Sequence, residues 1–237
     1  PIEECDAFER LARDPIADIR LAEAALVFAK DHRPSVDIAA NLRIIDGLAE
    51  RIDELAPRNT LERIAAMRAV LVREEDFRGT EGDYYDPRNS FLDCVLEEKR
   101  GIPISLSVIW LEIADLLGWP ADGIGLPGHF LIKFADEAGD IVVDPFGAGR
   151  RMTMEDCHLV VSMTMGRPMK LYDQYFLPQP KIAILYRMLG NLRHIYLDRG
   201  EHAALARVLL RLRQIDHRAA FIGDELQRAA EGMVLEN

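Results

Sequence analysis

GIPISLSVIWLEIADLLGWPADGIGLPGHFLIKFADEAGDIVVDPFG, residues 101–147, decides the fold of this chain. Pro103 opens a helix at a first-turn position, where its missing N–H costs nothing. Leu106, Val108, Ile109, Trp110, Ile113, Ala114, Leu116 and Leu117 make that helix apolar nearly all round, interrupted mainly by Ser105, Ser107, Glu112 and Asp115. A helix hydrophobic on most faces is a central, buried one. Gly118-Trp119-Pro120 ends it, and Ile124 is placed in a short strand. HFLIKF (129–134) and IVVDPF (141–146) then read as two strands joined by the polar turn DEAG (136–139). With the turn centred between Glu137 and Ala138, position 129 pairs with 146 and 131 with 144. A register shifted by one or two residues sets His129 opposite Asp144 instead. In both cases the two side chains fall within cross-strand or diagonal reach.

Outward from this unit the chain is mostly helical. In the first 78 residues, Asp14-Pro15 reads as a helix start, with Pro15 near the first helical position. Ile16, Ile19, Leu21, Ala24, Ala25, Val27 and Phe28 follow at helical spacing. Asp31-His32-Arg33-Pro34 breaks that helix. A second runs from Val36 to about Leu55, stopped by Pro57, and a third opens at Thr60 and carries Ile64, Met67, Val70 and Leu71. The stretch FRGTEGDYYDPRNSFL (77–92) changes texture, with Asn89 or Ser90 as the N-cap of a helix over 91–99 and Gly101 ending it. Thr153-Met154-Glu155-Asp156 looks like a further helix start. Met163, Met165 and Met169 read mainly as gap-filling core, with an adaptable binding surface as the other reading. Leu177-Pro178-Gln179-Pro180 is the clearest linker, and three helical patterns follow it, over 182–196, 202–215 and 219–230. The division expected is a helical region over 1–78, a core over 79–176 and a helical tail over 177–237.

Bulk properties exclude several functions. A net charge of −11 over 237 residues leaves no basic surplus to neutralise nucleic-acid phosphates or an anionic membrane. No apolar run approaches the roughly 20 residues needed to span a bilayer. Cys5, Cys94 and Cys157 are odd in number and widely spaced, with no C-x-x-C pair, so neither a disulfide framework nor a zinc site is expected. That fits a reducing cytoplasm, as does an opening PIEECDAFER without a signal-peptide pattern. His129 and Asp144 lack a third ligand nearby in sequence, and His158 sits in another segment. Neither a metal nor another cofactor is expected.

A nucleophile at the N-terminus of a buried helix, a histidine on a neighbouring strand and an aspartate that fixes the histidine are the parts of a thiol acyl-transfer site. The helix start at 103–105, His129 and Asp144 occur in that order. Gly101, Leu117-Gly118-Trp119-Pro120-Ala121, Gly128-His129 and Val143-Asp144-Pro145 resemble the core of the transglutaminase-like superfamily, where a cysteine begins the helix. Counting back from Gly118 puts Pro103 at that cysteine's position, while His129 and Asp144 match the family's His and Asp. The chain also resembles the bacterial SirB-one family. This second likeness rests on Phe77-Arg78-Gly79, residues 84–92, residues 101–106, Pro127-Gly128-His129-Phe130-Leu131 and Asp144-Pro145-Phe146. It implies a papain/transglutaminase-like α+β core, a buried helix on a small antiparallel sheet, followed by a tetratricopeptide-like tail. Spacing around Tyr196, Gly200, His202 and Leu209 is similar to one tetratricopeptide repeat, with His217 where the closing proline would sit. One repeat cannot bury its face alone, so it must pack on the chain or on a partner.

Three site readings follow. A degenerate scaffold binds a protein or peptide partner, with His129 and Asp144 holding structure or ligand. A hydrolase or acyltransferase uses a Ser105–His129–Asp144 triad. A thiol enzyme uses Cys94 from the neighbouring short helix. Tyr84, Tyr85, Asp86, Arg88 and Asn89 either line a binding pocket beside His129 or form a turn that locks the lead-in helices to the core.

Overall fold

A computed structural model describes residues 6–14 and 18–235. In the lead-in, α1 (Ala7–Arg13) is capped by the Asp6 carboxylate, which accepts from the Glu9 N–H. Next come α2 (Leu21–His32) and α3 (Ile38–Asp53), the latter capped by Asp37. α4 (Thr60–Met67), capped by Asn59, continues as a π-helical stretch over Arg68–Glu74. The sequence reading missed α1. Its proposed start at Pro15 and Ile16 lies outside the described residues.

Two-residue strands β1 (Arg78–Gly79) and β2 (Arg100–Gly101) pair in parallel and bracket a 3₁₀ turn (Pro87–Ser90) and α5 (Leu92–Glu98). Here two expectations are corrected. The N-cap of α5 is Phe91, without a side-chain cap, and Asn89 lies in the preceding 3₁₀ turn, where its amide donates to the carbonyls of Asp83 and Tyr84. The left-handed residue after α5 is Lys99 (φ 60°), which leaves Gly101 in the strand.

The central helix, α6 (Pro103–Leu116), is buried from Pro103 through Ala114. It packs on a five-stranded antiparallel sheet of order β6-β5-β4-β3-β7. The strands are β3 (Ala121–Leu126), β4 (His129–Phe134), β5 (Ile141–Asp144), β6 (Arg150–Met152) and β7 (Pro178–Gln179). β7, read from sequence as linker, is an edge strand on β3, a position that tolerates Pro178. The β4–β5 register, with Ile132 opposite Val143 and Phe134 opposite Ile141, is the first of the two expected. Alternation along β4 sends Phe130, Ile132 and Phe134 into the main core with α6. Leu131 joins Ile124, Leu126 and Met152 on the other face, under Cys157 and Val161 of α7 (Met154–Met165). α7 begins where expected, with Thr153 and Asp156 capping each other. Its methionines correct the core reading: Met163 and Met165 are exposed, because α7 turns only a narrow face to the sheet, and only Met169 is half-buried.

α8 (Lys181–Arg199), α9 (His202–Ile215) and α10 (Ala220–Leu235) form the tail. They do not stand apart. One continuous core joins Phe8 and Phe28 of the lead-in to Trp110 of α6 and to Leu189, Leu209 and Ala229 of the tail. Arg211 of α9 is clamped by Asp31 at 2.6 Å and Asp6 at 2.9 Å, tying the tail to the lead-in. Among the described residues, no helix is long and apolar enough to cross a membrane.

Candidate functional site

The hairpin and the start of α6 meet at a cavity of about 200 Å³, lined by Tyr84, Tyr85, Pro103, His129, Arg187 and Asn191 among others. His129 reaches it because Gly128 takes a left-handed turn (φ 69°) immediately before β4. A side chain at 128 would also lie 2.6 Å from the Thr164 methyl of α7. His129 Nε2 and Asp144 Oδ1 are 3.1 Å apart, and both residues are almost fully buried. The diagonal contact expected from sequence is therefore made. A side chain at Gly147 would meet Asp144 Oδ2 at 2.7 Å, so the turn after β5 must stay bare for this carboxylate to sit where it does. The Asp144–His129 bond fixes the ring orientation and directs the other ring nitrogen, Nδ1, away from the aspartate.

Ser105 does not join them. It is fully buried, and its hydroxyl donates to the Asn89 carbonyl (2.7 Å) while accepting from the Ile102 N–H (3.1 Å). Among the described residues it makes no hydrogen bond to His129, and it does not line the cavity. Its local role is to close the first turn of α6 onto the 3₁₀ turn. The geometry required by a Ser105 triad is absent.

The thiols are no better placed. Cys94 is buried, and burial, followed by the neighbouring Asp93, pushes its thiol up to about 11. Cys157 is buried under the sheet and pushed up to about 11 for the same leading reason. Both are poor nucleophiles at neutral pH, and neither lines the cavity. Cys5 lies outside the described residues. Thr164, which does line the cavity, donates its hydroxyl to the Val160 carbonyl at 2.9 Å. Among the described residues there is no cluster of three potential metal ligands.

The five tyrosine-to-asparagine candidates divide by role. Tyr84 and Tyr85 line the cavity, and burial raises the Tyr84 phenol above its usual range. The other three build the turn that carries them. Asp86 accepts from the Arg88 N–H (2.9 Å), Arg88 pairs with Glu98, and Asn89 holds the carbonyls of Asp83 and Tyr84. Arg187, on α8, was not foreseen. Its Nη2 donates to the Leu126 carbonyl (2.7 Å) and the His129 carbonyl (2.6 Å), across the tip of the β3–β4 hairpin. Nothing local in α8 marks it out among the helix's three arginines, since an arginine on an amphipathic helix usually faces water.

A second cavity, of about 480 Å³, lies at the far end of α6 and is lined by Glu112, Asp115 and Lys181 among others. These three charges are already partnered. Glu112 accepts from Arg20 Nε (2.5 Å) and the Ala22 N–H (3.0 Å), and Lys181 pairs with Asp115 at 2.9 Å.

Comparison with known proteins agrees with the geometry. The pattern of the transglutaminase-like superfamily matches residues 40–190. A UPF0162 protein of Xylella fastidiosa is 34% identical over 196 residues, covering 79% of this chain and 68% of that protein. A UPF0162 protein of Pseudomonas aeruginosa is 31% identical over 195 residues, covering 82% and 70%. Human F-box only protein 21 is 33% identical over 135 residues, which is 54% of this chain and 20% of that protein. No solved structure matches.

Proposed function

Because this chain belongs to the transglutaminase-like superfamily, and within it to the UPF0162 proteins, we propose that it is a non-catalytic member that binds a peptide or protein segment in the cleft at the start of α6. One observation carries the reading. The residue that shares the cavity with His129 at the first turn of α6 is Pro103, which offers neither a thiol nor a hydroxyl. The His129–Asp144 pair supports a ligand-contacting and structural role instead. The recurrence of the core as a fifth of the much longer F-box only protein 21 supports reading it as a module. The SirB-one likeness, the tetratricopeptide-like tail, the three-part division of the chain and a cytoplasmic setting belong to the same proposal. The tail's packing on the lead-in supports a tail that completes the fold and borders the cleft.

The test pairs binding with turnover. Peptides selected from a displayed random library on the wild-type chain should lose binding on Tyr84→Ala and His129→Ala. Amide, ester and thioester substrates should show no turnover that depends on His129. Turnover that disappears in His129→Ala would overturn the reading.

A further inference from the structure

We propose that the cavity at the start of α6 seats a peptide carboxylate on Arg187, with the rest of the peptide against Tyr84 and Tyr85. This rests on the reading of the cleft as a peptide site and specifies its ligand.

Two observations outline the cavity. Along α8, Arg187, Asn191, His194, Ile195 and Asp198 recur at helical spacing and form one stripe. The first two line the 200 Å³ cavity, and the last three line a second cavity of about 230 Å³. Tyr85 borders both, and its ring packs edge-on against His194 at 6.2 Å, so it forms the divide between the two above α8. Tyr84, Tyr85 and His129 of the lining are joined through Phe146 in a row of aromatic edges. Tyr85 and Tyr84 lie 5.4 Å apart by ring centroid, Tyr84 and Phe146 6.4 Å, and Phe146 and His129 6.0 Å. The loop bearing the tyrosines is strapped to α8 by Arg199, which bonds Asp83 (3.1 Å) and the Tyr85 carbonyl (3.2 Å).

The charge at the inner end identifies the ligand. Most of the fold's partly buried arginines have carboxylates: Arg20 has Glu112 and Asp46, Arg193 has Glu225, and Arg211 has Asp31 and Asp6. Arg187 has none among the described residues, although burial disfavours its charge. Its partners among the described residues are the two carbonyls and the face of the Phe130 ring, 5.4 Å from the guanidinium, and none of them is an anion. A planar guanidinium is matched by a carboxylate. Beside it, the Asn191 amide and His129 Nδ1 also have no hydrogen-bond partner among the described residues. The chain's net charge of −11 works against a run of acidic residues, which leaves a single carboxylate, either a chain end or one Asp or Glu side chain.

The experiment titrates the nitrogen-15-labelled chain with three pools of random heptapeptides and, separately, with inorganic phosphate. One pool has a free C-terminus and no internal acid. The second is C-terminally amidated and contains one Asp or Glu. The third is amidated and acid-free. The first or second pool should shift the amides of Tyr84, Tyr85 and His129 at roughly tenfold to hundredfold lower concentration than the third. Whichever of the two is tighter identifies a chain end or a side chain. Arg187→Gln should abolish that preference, and Arg187→Lys should retain part of it. The wild-type comparison among pools stands even if a variant folds poorly. Equal shifts by all three pools would overturn the carboxylate assignment and leave the peptide reading intact. Shifts with phosphate alone, or with nothing, would overturn both.

Discussion

The two ends of α6 each carry a cavity, and they treat polar groups in opposite ways. At the C-terminal end Glu112 is buried but bonded to Arg20 and the Ala22 N–H, and Asp115 is paired with Lys181. Asp122, also on the lining, is exposed to solvent. At the N-terminal end Arg187, Asn191 and His129 converge on a smaller space with donors and acceptors to spare. Polar groups bonded to one another hold the fold together, whereas groups that face a cavity with bonds unmade are met by water or by a ligand. The bonded charges of the larger cavity serve the fold, and the smaller cavity is where we place the proposed site.

Four measurements would sharpen or break this contrast. The largest effect is expected at Glu112. Removing it in Glu112→Ala strands the Ala22 N–H and half-releases Arg20, at a cost of about 3 kcal/mol. The cost should appear as a lower urea midpoint with an unchanged slope. A cost below about 0.5 kcal/mol would mean that the paired end is not held by these bonds.

His32 comes second. It stacks on Tyr196 of the tail at 5.5 Å, and burial, with Arg207 adding to it, lowers its pKa from 6.5 to about 4. The folded state thus prefers the neutral ring. Between pH 6.5 and 4 the unfolded chain binds the extra proton, so this stability is present above 6.5 and is lost as pH falls towards 4. The loss is on the order of 2 kcal/mol. His32→Gln should flatten that part of the stability–pH curve. A curve that keeps its slope in the variant would assign the acid sensitivity elsewhere.

At the site, stability and binding should separate. Arg187→Gln gives up two charged bonds to carbonyls but also removes a cation without a counter-charge, so its net effect on unfolding should stay within about 1 kcal/mol. Ligand affinity should nevertheless fall. A loss of stability as large as that of Glu112→Ala would place Arg187 with the structural arginines. The smallest effect belongs to Met163→Ser. Because Met163 is 74% exposed, its unfolding midpoint should move by no more than about 0.5 kcal/mol.

Sequence patterning reached the central helix, the hairpin and the His129–Asp144 contact because each is set locally. An apolar helix, period-two strands and a four-residue turn narrow the pairing to two registers without help from the rest of the chain, and both bring 129 within reach of 144. Ser105 looked suitable by position. Its hydroxyl is claimed by Asn89, which a turn 16 residues away delivers, and no local pattern reports that. Arg187 was invisible for a similar reason, since it lies 58 residues beyond the histidine whose carbonyl it holds. The Met-rich run at the end of α7 misled because methionine usually fills gaps in a core. Only Cys157 and Val161 of that helix are buried against the sheet.

The central claim is that, among the described residues, the cleft holds His129 bonded to Asp144 but no thiol at the first turn of α6. Pro103→Cys tests it most directly. A thiol at the first turn of α6, sharing a cavity with His129, should have a lowered pKa and react with iodoacetamide near neutral pH far faster than Cys94. That rate should fall in Pro103→Cys/His129→Ala, while wild-type and His129→Ala proteins should be equally inert towards amide, ester and thioester substrates. Turnover by the wild-type chain that vanishes in His129→Ala would contradict the account.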